Sequence, residues 1–554
     1  MRASTLTLTF LSPRARLALL LAFALIWFGS LDYRHLVDPD EGRYAEIARE
    51  MSVSADWITP RLNATKYFEK PPLQYWATAA AFNIWGEHEW TARLWTGSCG
   101  FLCVLLVYFT AGRLFGADAG LLAGAVAGSS LLLLAMGQFS ALDMGLAFFL
   151  QLCLSGFLLA QQDGAKARAW MLLSWAALAL AVLSKGLVAI VLVATTVLGY
   201  SLLTGDFSPW RRLHWRYGIA VFLLIAAPWF IAVSLANPEF PYFFFIHEHF
   251  ERFLTKVHGR YQPWWYFLPI LAVGALPWTL IMLQALVSAW KPTQVGFAPR
   301  RLLLVWVLLV LAFFSASGSK LPSYILPMFP ALALLAGDLL ARMRRPHLLW
   351  HLALIAACAA AALLLLPRLA SASGDASKQD MLMNYALWLR GAATIWLGAS
   401  IAALVLAWRQ ALRPAMLLLA AASSVAGLGL LLGHEELARS NSTYFLSRHV
   451  PRGGNIPFYS VRMYEQSLPY YLQRTLTLVE FEGEMAFGLA QEAHKALPTV
   501  AAFKQRWLTD AAALALMSPD TYRELAAQAL PMSIIAEDAH RLIVAKPTTQ
   551  PQTP

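Results

Sequence analysis

Charge is scarce in this chain: of 554 residues only 14% are Asp, Glu, Lys or Arg, against 58% hydrophobic residues. Soluble domains carry about a quarter charged residues, so a single water-soluble domain is excluded. Cysteine is scarcer still. Cys99, Cys103, Cys153 and Cys358 all fall inside apolar stretches, where small packing residues are the ordinary use; a disulfide framework is excluded. No Walker-type loop and no dinucleotide fingerprint is present, which argues against direct use of a nucleotide-linked donor. The net charge of +11 is spread over short loops between apolar runs. That is the pattern of a membrane protein sorting its basic loops to one side, and it argues against nucleic acid as a partner.

What the chain does have is long apolar runs. A membrane-spanning helix needs about 20 largely apolar residues, and on that rule about thirteen spans centre near residues 23, 102, 127, 150, 176, 194, 226, 277, 308, 331, 357, 398 and 422. The first, following Arg2, Arg14 and Arg16, reads as an uncleaved anchor. Arg211, Arg212 and Arg216, then Lys291, Arg300 and Arg301, then Arg342, Arg344 and Arg345, then Arg409 and Arg413 occupy alternate loops, expected to be cytoplasmic. The loops between them, and the end of the chain, then lie outside.

Composition changes at His434. IPFYSV, TLTLVEF, AALALM and SIIAED read as short strands, with YEQSLPYYL and DTYRELAAQAL as helices between them. The expected architecture is therefore an all-α polytopic membrane domain over 1–433 and a soluble α/β domain over 434–554. Two outer loops, 33–72 and 237–265, carry the polar chemistry.

The first of these loops is the densest polar passage. Asp38, Asp40 and Glu41 follow the first span, and Glu69 and Lys70 precede Pro71-Pro72. Charges so close to a bilayer are costly unless water, a partner or a ligand meets them. Asp143 makes the same point in QFSALDMGLAFFL, at the mouth of an apolar helix where an isolated acid at full depth would cost about 2.5–3.5 kcal/mol. Lys185 in LSKGL and Lys320 in SGSKLP interrupt apolar runs alike. A lysine ammonium is a compact point charge suited to phosphate. Loop 237–265 is aromatic and reads as an interfacial amphipathic segment. The alternative is a zinc site from His247, His249 and Glu69.

DEGRYAEIAREM, DWITPRLN and YFEKPPLQYW, together with SGSKLPSYILPMFPALALL from Ser317 to Leu335, resemble the signature of the aminoarabinose lipid A transferases. These belong to the superfamily of polyprenyl-phosphate-sugar-dependent transferases, of GT-C type, that includes the protein O-mannosyltransferases. The resemblance implies an inner-membrane glycosyltransferase with its site and C-terminal domain in the periplasm. It implies 4-amino-4-deoxy-L-arabinose as the sugar, undecaprenyl phosphate as its carrier and lipid A phosphate as acceptor. It matches Asp40 to the family's lead acid with Glu41 adjacent, and Asp143 by its position in the third outer loop. Expected substrate contacts are Arg43, Tyr44, Tyr67, Lys70, Lys185, Arg252, Arg260, Lys320 and Tyr324. No cofactor is required for such a transfer; zinc is the alternative already named. Two other readings stand beside this one: a transferase of the same superfamily with another sugar or a protein acceptor, and a lipid or solute transporter. Against the latter, no inverted repeat or paired broken helices are evident.

Overall fold

A computed structural model describes residues 13–162, 164–251, 262–291, 296–370 and 376–547, with side chains beyond a few helix-end stretches. Nine helices among them are long and apolar enough to cross a membrane: Glu89–Phe115, Leu142–Gln162, Ala167–Lys185, Trp215–Ala236, Pro299–Ala316, Pro322–Ala341, Arg345–Leu366, Met381–Trp408 and Leu412–Gly433. The protein is a multi-pass membrane protein. The thirteen expected segments are all helical, but four depart from a plain span. Phe267–Gly274 and Thr279–Trp290 bend by 109° at their junction, and the apolar helices Leu17–Gly29 and Val188–Thr204 are short. The segment near 127 is split into Ala117–Ser129 and Leu131–Met136. Outward-facing apolar side chains, such as Leu224 at 77% and Leu235 at 79% exposure, mark surfaces that only lipid would cover.

Seven elements position the site. They are α1 (Pro13–Gly29), α2 (Asp40–Ser54), the short hairpin β1 (Arg61–Leu62) and β2 (Thr65–Lys66), α3 (Leu73–Trp85), α4 (Glu89–Phe115) and, further on, α7 (Leu142–Gln162). Between α4 and α7 lie α5 (Ala117–Ser129) and α6 (Leu131–Met136). The charged stretch DEGRYAEIAREM of the first loop coils into α2 and is mostly buried. The reason is the C-terminal domain. Its sheet has the order β5-β4-β3-β6-β8-β7, with β3 (Phe458–Val461), β4 (Thr477–Val479), β5 (Ala496–Leu497), β6 (Leu514–Met517), β7 (Ser533–Glu537) and β8 (Leu542–Ala545). The first four are parallel, in register Ser460 to Leu478 and Tyr459 to Ala515, while β8 and β7 add antiparallel.

β3 and β6 are buried on both faces, as parallel strands covered on each side must be. One face holds Phe503 and Trp507 of the helix Val500–Thr509. The other packs Phe458, Leu514, Leu516 and Ile543, through Leu468 and Leu472, into one apolar cluster with Ala45, Ile47, Ala48 and Met51 of α2. The soluble domain therefore lies directly on the first loop. The contact is close: a Cβ on Gly42 would meet the Ser467 backbone nitrogen at 2.5 Å. Both meeting surfaces there are backbone, so only glycine fits.

The two ends of the bundle differ. α4 begins beside the first loop and ends where Arg300 lies over Phe115. Around that far end Arg300 and Arg342 both clasp Asp338, Arg413 pairs with Asp118, and Arg212 donates to the Gln161 carbonyl at the end of α7. The basic residues read as one side's loops are gathered there, opposite the C-terminal domain.

Candidate functional site

Three acids cluster at the start of α2, and the fold gives each a different fate. Asp38 turns toward the C-terminal domain, where Ser467 donates to it from its backbone N–H at 2.6 Å and its hydroxyl at 2.7 Å. Burial, then the nearby Glu465, pushes its carboxyl well above the usual range. Glu41 was expected to share catalysis with Asp40. Instead it is buried against Arg93 of α4, which donates from Nε at 2.7 Å and Nη2 at 2.8 Å. Ser140 adds a backbone N–H at 2.8 Å. Burial alone would raise the Glu41 carboxyl, but the Arg93 guanidinium holds it at about 2. Arg93 also donates to the carbonyls of Leu31, Arg34 and His35, so this pair fixes the entry to α2. Glu41 is spent on holding the loop.

Asp40 alone faces outward from this trio. Its side chain is 41% exposed, and its carboxylate makes one ion pair among the described residues, at 3.4 Å to Arg43. Arg43 is buried and its other edge meets Glu484, at 2.8 Å, on a turn of the C-terminal domain. Tyr44, Tyr67 and Tyr75 are buried close by, with the Tyr44 and Tyr75 rings 6.0 Å apart. Arg43 Nε and the hydroxyls of Tyr67 and Tyr75 are buried without a hydrogen-bond partner among the described residues. Buried polar groups are normally satisfied, so this cluster of orphaned donors marks a place built for a ligand rich in oxygen.

Two further clusters complete the face. Lys70 Nζ donates to Glu248 at 3.0 Å and to the Glu69 carbonyl at 2.7 Å, with the Glu69 carboxylate 3.8 Å away. This joins the first loop to the segment Tyr242–Glu251, a wide helical turn packed by Phe240 and Phe244 against Trp229 and Phe68. Asp143 pairs with Lys185 and accepts from Ser323 Oγ at 3.0 Å, while Lys185 Nζ lies 4.4 Å from the Tyr324 ring centroid. Three separate stretches of sequence thus meet. Lys320 is different: its Nζ donates to the carbonyls of Ser317 at 2.5 Å and Gln262 at 2.9 Å, and burial lowers its ammonium below the usual range. It shapes the loop through these bonds.

Arg252 and Arg260 lie outside the described residues, as does the side chain of His249. His247 stacks on Phe243 at 5.0 Å and its Nδ1 is 3.8 Å from Glu248. Among the described residues no group of three His, Cys, Asp or Glu is placed to hold a metal ion. The alternative zinc site from Glu69, His247 and His249 includes a side chain outside the described residues.

Arg93, Tyr75, Glu248 and Glu484 were not singled out from the sequence. Arg93 carried a readable signal, since EWTARLW puts a guanidinium four positions into an apolar span, the same cost that flagged Asp143. Glu484 carried none: it is one acid among many in a soluble domain.

Bundle, acid-bearing first loop and capping α/β domain together define a multi-pass membrane protein of GT-C architecture. Residues 13–245 match the family model described as dolichyl-phosphate-mannose-protein mannosyltransferase, and residues 451–546 that of the aminoarabinose transferase C-terminal domain. The crystal structure of ArnT from Cupriavidus metallidurans bound to undecaprenyl phosphate superposes with a TM-score of 0.92 at 37% identity, over 98% of this chain and 100% of that one. The undecaprenyl phosphate-alpha-4-amino-4-deoxy-L-arabinose arabinosyl transferase of Pseudomonas paraeruginosa is 37% identical over 340 residues, 59% of this chain and 60% of its own length. Its counterpart in Pseudomonas aeruginosa is 38% identical over 335 residues, with the same coverage. The alignment thus spans about three fifths of these curated relatives. The archaeal oligosaccharyltransferase AglB from Archaeoglobus fulgidus, at 15% identity and a TM-score of 0.50, shares the fold. The chain belongs to the ArnT family of aminoarabinose transferases.

Proposed function

We propose that the protein is a glycosyltransferase that moves 4-amino-4-deoxy-L-arabinose from undecaprenyl phosphate to phosphate groups of lipid A. The observation that carries this reading is the isolation of Asp40: of the three acids at the loop entrance it alone keeps an exposed carboxylate, beside a cluster of buried donors without acceptors. The names and ligand of the relatives supply the sugar and its carrier; the lipid A acceptor is the one the sequence resemblance implies.

In this mechanism Lys70 and Arg43 hold phosphate oxygens, and the hydroxyls of Tyr67 and Tyr75 take the remaining acceptors. The bond from the sugar's anomeric carbon to the carrier phosphate breaks as an acceptor phosphate oxygen bonds to the same carbon. Undecaprenyl phosphate leaves with the bonding electrons, so its charge is stabilised by the cations already on it. The transition state resembles an oxocarbenium ion, and the Asp40 carboxylate faces that positive charge. A phosphate monoester is already anionic at neutral pH, so no side chain has to remove a proton. Asp143, held by Lys185 and Ser323, orients the far wall. No metal enters this scheme.

The site belongs, in this reading, to the periplasmic face of a bacterial inner membrane. The gathering of the basic loops at the opposite end supports that orientation. The experiment is mass spectrometry of lipid A from cells that make the lipid-linked sugar but lack their own transferase. Expression of the protein should add one or two aminoarabinose units. Unmodified lipid A, with the protein present in the membrane, would remove this donor–acceptor pair and favour a superfamily member with another sugar or a hydroxyl acceptor.

A further inference from the structure

We propose that Glu484 of the C-terminal domain is a placeholder in the active site, occupying the guanidinium of Arg43 until a phosphate monoester, that of the acceptor or that of the carrier as it leaves, displaces it. The inference rests on the reading of Arg43 as a phosphate ligand given above.

Four observations lead to it. Glu484 belongs to the soluble domain, yet its carboxylate meets Arg43 at 2.8 Å, three residues from Asp40 on the same helix. Arg43 is left short of acceptors even so. Its Nε is buried with none among the described residues, and Asp40 is a long 3.4 Å from its Nη1. The surrounding groups are donors as well, since Tyr67 and Tyr75 also offer buried hydroxyls without partners. One carboxylate is therefore serving a pocket with donors for more oxygens than it has. A phosphate, with three terminal oxygens, matches that donor set better.

The fourth observation is that Glu484 can leave. Its side chain is 24% exposed, against 8% for that of Arg43, so on release it reaches water at small cost. Its polar partners are Arg43 and Gln466. The domain's grip on the first loop is made elsewhere: by Ser467 on Asp38, by Glu492 on Arg61, and by Asn63, whose side chain both donates to and accepts from the Leu476 backbone. Exchange at Arg43 then needs one side chain to turn, with the domain staying seated. A competing internal anion lowers the apparent affinity for an external one by the fraction of time it holds the site. It also keeps a buried guanidinium from standing uncompensated when the site is empty.

The test uses the full-length protein in lipid nanodiscs, with undecaprenyl phosphate itself as the binding probe and purified lipid A in the transfer assay. Glu484→Gln should bind the phosphate lipid about tenfold more tightly than the wild type, or lower KM for lipid A by a similar factor. The first result assigns Arg43 to the carrier phosphate and the second to the acceptor. Arg43→Gln should weaken the same step, and Arg43→Gln/Glu484→Gln should be no tighter than Arg43→Gln, because the competition runs through that guanidinium. Glu484→Asp, a shorter carboxylate, should fall between the wild type and Glu484→Gln and covers a folding defect in the latter. Unchanged or weaker affinity in both arms for a folded Glu484→Gln overturns the proposal and leaves Glu484 as a brace for Arg43. The binding arm requires no sugar transfer. Absence of aminoarabinose transfer by the wild type would therefore count against the function proposed above while this arm still decides the exchange.

Discussion

The same residue types, acid and guanidinium, meet at both ends of the bundle with opposite outcomes. At the end away from the C-terminal domain, Arg300 donates to both oxygens of Asp338 at 2.7 and 2.8 Å, and Arg342 adds a third bond at 2.6 Å. That cluster is saturated and locks Pro299–Ala316 to Phe329–Ala341. At the site end Arg43 has two acids near it and still keeps a buried donor unfilled among the described residues, while Asp40 stays largely open. Saturated pairs build a scaffold. Unsaturated ones wait for a ligand, and the presence of Glu41–Arg93 one residue from Asp40 shows how sharply a helix can divide the two roles.

The largest effect should come from the open end. Asp40→Asn is expected to lower transfer by at least about 10³-fold while expression and thermal unfolding stay as in the wild type; substantial activity in this variant would take Asp40 out of the chemistry. Next is Arg93→Met, which leaves Glu41 buried without its ion-pair partner. Breaking a buried pair this way costs about 3–5 kcal/mol, to be read from denaturant unfolding in detergent, and transfer should fall with the folded fraction.

The pH dependence sharpens the same point. The Glu41 carboxyl lies at about 2 against an ordinary 4.5, so its folded-state value is depressed. Its contribution is fully present above pH 4.5 and is lost as pH falls from there toward 2, amounting to about 3 kcal/mol. Unfolding scans across that window should show a stability loss that Arg93→Met largely abolishes. Asp338→Asn comes next, with a loss of about 2 kcal/mol in stability, since its arginines are partly solvated. Its transfer rate should stay within about twofold of the wild type, because the scaffold end takes no part in the reaction. The smallest effect is expected from chelation: dialysis against EDTA should leave transfer unchanged, and a loss restored by zinc would revive the site from Glu69 and the two histidines.

Much of this was legible in the residues. Polar passages stand out against apolar ones, so the first loop, Asp143 and Lys185 announced themselves by their desolvation cost, and the 434 boundary by a change of composition. The short apolar runs of β3, β4, β6 and β7 were readable, whereas β5 is two residues long and β8 follows a bulged partner, too little for periodicity to act on. Partners were not legible. Nothing in DEGRY says that Glu41 will meet Arg93, 52 positions on, or that an acid more than 400 residues downstream will face Arg43. A helix as charged as α2 reads as solvated until the sheet that buries it is seen. Lys320 shows the converse, where a cation in an apolar run proved to serve backbone carbonyls.

The meeting of Gly42 with the backbone at Ser467 bears on how such proteins could be recombined. Where two modules touch through side chains, an exchange of one can be repaired by changing the other's surface. Here backbone meets backbone at the helix that carries Asp40, so a graft of a foreign C-terminal domain must reproduce the course of residues 465–467 before it can preserve anything chemical. A splice at residue 434, the natural seam by composition, would therefore divide a single working part.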